Sequence, residues 1–228
     1  MNKEVIVFSL GGSLIVPDNV DYLYLHKFEY FIKNLLKNYK IVIVTGGGKT
    51  ARTYIKALDH EKLGDPFVSL VGIMSTKLNA RLVAGFFNLK NEIPDSLVDV
   101  KKQLNKNNIV VCGALGFQPK MTSDGDAAQI SEYLKAKLFV NLTNVDGLYD
   151  KNPLKYKTAK LTTQLDYKSF LQIVNKIKYE AGQHFILDQA AAKIITKAKI
   201  KTLIINGNKL ENINYYLNNK KFLGTLIF

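Results

Sequence analysis

The sequence predicts an α/β fold in which a mainly parallel sheet is covered on both faces by helices. Three observations predict it. Short apolar runs of strand length alternate with longer segments of helical periodicity along all 228 residues. Two of the first runs end in glycine clusters, Gly11-Gly12 and Gly46-Gly47-Gly48. No repeat, low-complexity tract or long linker interrupts the alternation, which favours a single domain over 1–228.

Residues 4–10 read as a strand that runs into a turn at Gly11-Gly12, and 21–38 as a helix. Residues 40–45 form a second strand, followed by the triple glycine and a helix over 50–58. Residues 69–89 read as one long helix and 96–105 as a weaker one. A strand at 108–112, a helix at 122–136 and a strand at 137–142 follow. Helices over 167–176 and 188–197, a strand at 200–205, a helix at 210–218 and a last short strand at 224–228 complete the chain. In open sheets of this kind ligands bind at the carboxyl ends of the strands, where the glycines sit.

Hydrophobic residues make up 47% of the chain and aromatics 11%, enough for a core and too many for a disordered chain. The apolar runs are strand-sized, short of the roughly 20 residues that span a bilayer, so no membrane partner is expected. The opening Met1-Asn2-Lys3-Glu4-Val5 lacks the layout of a signal peptide. Cys112 is the lone cysteine, in an apolar run, and reads as a buried inert thiol in a cytoplasmic protein. The net charge of +13 comes from lysines spread along the chain without a basic block, so nucleic acid is not expected as the main partner. Of 32 basic residues only Arg52 and Arg81 are arginine, which marks them as places where a planar fork is needed.

The first glycine cluster is Ser9-Leu10-Gly11-Gly12-Ser13, the second Val44-Thr45-Gly46-Gly47-Gly48-Lys49 with Arg52 a turn beyond. One Gly-Gly pair alone is a tight turn. Two such loops after two apolar strands, one leading into a helix that carries an arginine, point to phosphate. Neither matches Gly-x-x-x-x-Gly-Lys-Ser/Thr or Gly-x-Gly-x-x-Gly. Downstream, Thr122 or Ser123 serves either as a helix cap or as a ligand contact. Asp146-Gly147 is a turn signal within Thr143-Asn144-Val145-Asp146-Gly147-Leu148-Tyr149, followed by Asn152-Pro153. Asp188 is either an N-cap or a functional carboxylate, and His184 reads as a polar loop residue. Three scattered histidines and one cysteine give no metal set.

In order and spacing these motifs resemble the amino acid kinase superfamily, and within it the archaeal-type uridylate (UMP) kinases. The resemblance spans nearly the whole chain and includes Asn79-Ala80, the loop into Thr122-Ser123-Asp124, Ala181-Gly182 and Ala191-Ala192-Lys193. It implies a three-layer αβα sandwich with an acceptor lobe over about 1–120 and an ATP lobe over about 121–228. It implies that Gly46, Gly47, Arg52, Ser69 and Thr122 hold the acceptor, here UMP. It implies that Gly11, Gly12, Ser13 and Gly48 cradle the transferred phosphoryl group, and that Thr143, Asn144, Asp146, Gly147, Tyr149, Asn152 and Pro153 line the ATP site. Asp188 and Gly12 are the implied catalytic residues, and Lys49 joins them as a candidate from this chain's own sequence. Mg²⁺ is expected to arrive with ATP, without a dedicated protein cage, and a homo-oligomer, a hexamer, is implied.

Two positions depart from the family pattern. Ser9 stands where many members carry a lysine, which leaves Lys49, and secondarily Lys120, as the cation for the transition state. Ser69 stands where UMP kinases generally have an aspartate that grips the acceptor ribose. The alternatives are another phosphorylated acceptor, as in an isopentenyl phosphate kinase, or a non-catalytic nucleotide-binding or storage subunit.

Overall fold

Parallel strands need crossovers, and the alternation of apolar runs with helices supplies them. The computed structural model describes residues 3–58, 61, 63–118, 121–176 and 187–228. The first half contains β1 (Glu4–Leu10), α1 (Gly12–Ile15), α2 (Tyr22–Leu35), β2 (Tyr39–Thr45), α3 (Gly48–Ala57), α4 (Asp65–Phe86), α5 (Leu97–Lys106) and β3 (Ile109–Cys112). The second contains α6 (Ser123–Tyr133), β4 (Leu138–Thr143), β5 (Leu148–Tyr149), β6 (Leu161–Thr162), β7 (Gln164–Leu165), α7 (Tyr167–Lys176), α8 (Gln189–Ala198), β8 (Thr202–Asn206), α9 (Glu211–Leu217) and β9 (Thr225–Ile227). The main sheet has the order β3-β2-β1-β4-β8-β9-β7, and β5 and β6 form a separate hairpin pair. Strands β3, β2, β1, β4 and β8 are mutually parallel, while β9 runs antiparallel to β8.

The two-residue period of a strand divides the core. Ile6, Phe8 and Leu10 of β1 face one apolar layer with Phe28 and Ile32 of α2, Ala80 and Val83 of α4, and Ile213 of α9. Val7 faces the opposite layer with Val100 of α5, Ile130 of α6, Phe170 of α7 and Ile195 of α8. Cys112 is fully buried in that second layer, and burial, with the nearby Asp126, pushes its thiol pKa up. The result is a helix–sheet–helix sandwich. Because β2 lies on one side of β1 and β4 on the other, the chain switches direction at β1, and a crevice opens at the carboxyl ends there.

Several elements differ from the sequence expectation. Helix α4 starts four residues earlier than expected, with Gly64 as its N-cap and Pro66 in its first turn, where a missing N–H costs nothing. It ends at Phe86, and Asn88 adopts a left-handed φ of 53° just beyond. The one-turn α1 and the two-residue strands β5, β6 and β7 are too short to carry a periodicity. Apolar content along α4 is higher than the strand-sized runs implied: Pro66–Phe86 has a mean hydropathy of 1.2, long and apolar enough for a span by length and composition alone. Its Ser75, Thr76 and Asn79 are nonetheless buried against the sheet side, and its apolar Phe67, Leu70, Met74 and Leu78 are exposed.

Candidate active site

Strands β1 and β2 run in register up to Leu10 opposite Thr45, so the two glycine clusters emerge side by side. They pack backbone on backbone. A Cβ on Gly12 would collide with Gly48 N and Gly46 C, and a Cβ on Gly46 would lie 2.6 Å from Gly12 N. Gly48, with φ at 64°, opens α3 in a conformation that other residues resist. Gly46 N donates to Leu10 O at 3.0 Å, and Gly11 N to Leu142 O at 3.1 Å. From behind, the buried Asn79 donates to Gly46 O at 2.7 Å, and Thr45 Oγ1 to Thr76 O at 2.9 Å. The polar, sheet-facing side of α4 therefore holds this loop in place.

The cleft above these loops is lined by Gly11, Gly12, Ser13, Leu14, Gly46, Gly47, Gly48, Arg52, Thr122, Ser123, Asp124, Asn141, Leu142, Thr143, Asn144 and Asp188. Among the described residues Arg52 is the one cation of that lining. Its Nη1 donates to Ser13 Oγ at 3.4 Å, joining the second glycine cluster to the first. The other arginine, Arg81, donates to Asn91 O at 2.7 Å and tethers the chain after α4.

The same lining contains two acids, Asp124 and Asp188. Thr122 caps α6, accepting from Asp124 N at 3.2 Å, and its hydroxyl donates to Asp188 Oδ2 at 2.5 Å. Asp188 in turn caps α8, accepting from Ala191 N at 2.7 Å. It is thus both a cap and the anchor of Thr122. Ser9 and Asn141 are register partners on β1 and β4, and both donate to Asp124 Oδ1, at 2.6 and 2.8 Å. Burial, and then the charge of Asp188, pushes Asp124 up to about 6 against these two hydrogen bonds. Burial likewise raises Asp126 to about 6, opposed by the Leu115 N–H and aided by Asp188. In the sequence Asp124 stands in the resemblance motif Thr122-Ser123-Asp124 without a role of its own, and Asn141 carries no signal.

Other expected residues lie away from the cleft lining. Lys49 points its Nζ to Asp18, 3.7 Å away. Ser69 sits on α4 outside the lining. Asp146 Oδ1 accepts from Lys209 Nζ at 2.8 Å and from Asn206 Nδ2 at 3.0 Å. Burial raises the Asp146 pKa, but these hydrogen bonds and the Lys209 charge outweigh it and hold the carboxyl below its ordinary value. Gly147 packs where a Cβ would meet Thr225 Oγ1 at 2.6 Å. Tyr149 pairs with Leu161 in the β5–β6 hairpin. Asn152 accepts from Leu154 N at 2.9 Å, and Pro153 follows it, half-buried. Lys120, Ala181, Gly182 and His184 lie outside the described residues. Among the described residues no three His, Cys, Asp or Glu side chains gather as a metal set.

The cleft lies at two apposed glycine loops, and a sequence model of the amino acid kinase family matches residues 4–206. The chain belongs to the amino acid kinase family. Within it, the chain is 40% identical over 227 residues to the uridylate kinase of Methanococcus aeolicus, covering 97% of this chain and 98% of that one. The crystal structure of uridylate kinase from Archaeoglobus fulgidus matches with a TM-score of 0.84 at 31% identity, covering 98% and 99% of the two chains. An isopentenyl phosphate kinase substrate complex matches at a TM-score of 0.71 and 19% identity over 99% and 100%, a likeness of fold alone.

Proposed function

We infer that this amino acid kinase family chain is an ATP-dependent UMP kinase, converting ATP and UMP to ADP and UDP. The observation that carries phosphoryl transfer is the apposition of two Cβ-free glycine loops under Arg52 in one cleft at the strand ends. End-to-end likeness to uridylate kinases of 31–40% identity directs the acceptor to UMP.

In this reading a phosphate oxygen of UMP bonds to the γ-phosphorus of ATP as the bond from that phosphorus to the β,γ-bridging oxygen breaks, and ADP leaves. The acceptor oxygen is already anionic, so no strong base is required, and positioning and charge stabilisation carry the reaction. Gly46, Gly47 and Arg52 hold the UMP phosphate, and Thr122, fixed by Asp188, touches the rest of UMP. The backbone of Gly11, Gly12, Ser13 and Gly48 cradles the transferred group. Arg52, which reaches Ser13 across the two loops, takes the transition-state charge in place of Lys49. Thr143 and Asn144 begin the ATP site, which extends over Asp146, Gly147, Tyr149, Asn152 and Pro153. The first 120 residues form the acceptor half of the one domain and the remainder the nucleotide half.

Carboxylates at Asp124 and Asp188 are oxygen donors of the kind Mg²⁺ accepts, and such an ion keeps waters and phosphate ligands rather than requiring an all-protein cage. Bound with ATP near these two residues, Mg²⁺ would neutralise triphosphate charge.

The homo-oligomer is part of the same proposal. Phe67, Leu70, Met74 and Leu78 on α4, with Tyr54 on α3, form an exposed apolar stripe that a second copy of the chain would cover. Met74→Glu is expected to shift the sedimentation coefficient towards the monomer. The buried, lone Cys112 supports a cytoplasmic setting.

The test is ADP release with Mg²⁺-ATP against UMP, CMP, dUMP, AMP, GMP and isopentenyl phosphate. UMP is expected to be turned over fastest. Preference for another acceptor would reassign the substrate, and silence across the panel with ATP still bound would favour a non-catalytic nucleotide-binding subunit.

A further inference from the structure

We propose that Lys209, acting with Asn206 through Asp146, is a positioning residue that sets the ATP-side loop at residues 143–149. The proposal rests on the reading that ATP occupies that loop.

The geometry begins in the sheet. Thr143 and Asn206 are register partners at the ends of β4 and β8, so the loops that follow leave side by side. Gly207 N donates to Thr143 O at 2.8 Å and starts their contact. Four residues of the second loop then form a compact turn, with Lys209 N on Asn206 O at 2.9 Å and Asn208 N on Asn206 Oδ1 at 3.0 Å. From this turn Asn206 Nδ2 and Lys209 Nζ converge on one oxygen of Asp146. The turn is backed against the core, because a Cβ on Gly207 would run into the Leu14 side chain and lie 3.0 Å from the Tyr24 hydroxyl.

The other side of the ATP-side loop is fixed independently. The buried Thr225 accepts from Leu148 N at 2.8 Å and donates to Thr162 O at 2.5 Å, and Gly147 fits against it. Asp146 is therefore the point where the loop is gripped from the β8–α9 side, with Thr143 and Asn144 before it and Tyr149 after it. Lys209 does not line the cleft and touches no reacting group. Its side chain is 43% exposed and that of Asp146 24%, so the pair adds little to global stability, while its two-donor geometry fixes where the loop stands.

The test compares Lys209→Met and Lys209→Arg with the unaltered protein by initial rates and by calorimetric titration with ADP. Lys209→Met is expected to raise KM for ATP and Kd for ADP about five- to tenfold, leaving KM for UMP and kcat within about twofold. Lys209→Arg, which keeps the charge and a donor, is expected to recover most of the loss. Unchanged ADP affinity in Lys209→Met would overturn the proposal. So would equal losses for both substrates, or no recovery with arginine, because a general structural role predicts those. The ADP titration reads the proposal even if UMP proves not to be the acceptor.

Discussion

The glycine floor of the cleft and the Asp146 loop beyond it are held by different kinds of contact. At the glycine floor Gly12, Gly46 and Gly48 touch through backbone atoms, with no room for a Cβ at any of them. In the loop after β4, Asp146 is held by side chains, the half-exposed Lys209 and Asn206. A backbone contact between two parallel strand ends can change only if the strands move. A side-chain contact at the surface can change one residue at a time. The glycine floor is thus the rigid reference of this end of the sheet and the Asp146 loop its adjustable part.

Breaking the rigid side has the largest expected effect. Gly12→Ala forces a methyl group into Gly48, and is expected to abolish measurable phosphoryl transfer and to cost about 1–3 kcal/mol in urea unfolding. Arg52→Lys comes next. It keeps the charge but loses the fork, and is expected to raise KM for UMP by about tenfold or more while KM for ATP moves little. Equal effects on both substrates would remove Arg52 from the acceptor phosphate.

A third prediction concerns the acids between the two sides. The folded-state value of Asp124, about 6, lies above the ordinary carboxylate value near 3.9. The folded protein therefore holds this proton more tightly, and the stability tied to it is full below about pH 4 and lost as pH rises through about 6. Asp124→Asn removes the buried charge, so this variant is expected to be about 1–2 kcal/mol more stable than the parent at pH 8. The gap should close as the pH approaches 4. A variant less stable at pH 8 would show that hydrogen bonding, rather than buried charge, dominates there. Smallest is Ser9→Ala, which removes one of two donors to Asp124 and is expected to cost about 1 kcal/mol in thermal unfolding with the fold intact.

The long strands of the fold were legible because each is an apolar run stopped by glycine or a polar turn: β1, β2 and β4 lie within a residue or two of where periodicity puts them. The hairpin pair β5–β6 was not, since two residues carry no period. Helix α4 began early because Pro66 opens a helix when it stands in the first turn, whereas proline elsewhere reads as a break. In the site, the glycine loops and Arg52 announced themselves by residue type at strand and helix ends, while Thr122, Thr143, Asn144 and Asp188 drew their roles from the family resemblance; all line the cleft. Asp124 entered only as the end of Thr122-Ser123-Asp124, without a role, and Asn141 not at all. An acid in the first turn of a helix reads as favourable to the helix dipole, and an asparagine inside a strand has no local signature. Their meeting depends on the β1–β4 register that sets Ser9 opposite Asn141, a long-range fact. The same holds for Lys49 and Lys209: chain position favoured the first, while the tertiary fold turns Lys49 to Asp18 and brings Lys209 to Asp146.

The central claim, that UMP is held by the glycine floor and Arg52 while ATP is held elsewhere, is tested most directly by calorimetric titration of Arg52→Ala with UMP and with ADP. The account predicts that UMP affinity falls by about a hundredfold and ADP affinity stays within about threefold. Loss of ADP binding with UMP binding retained would contradict it.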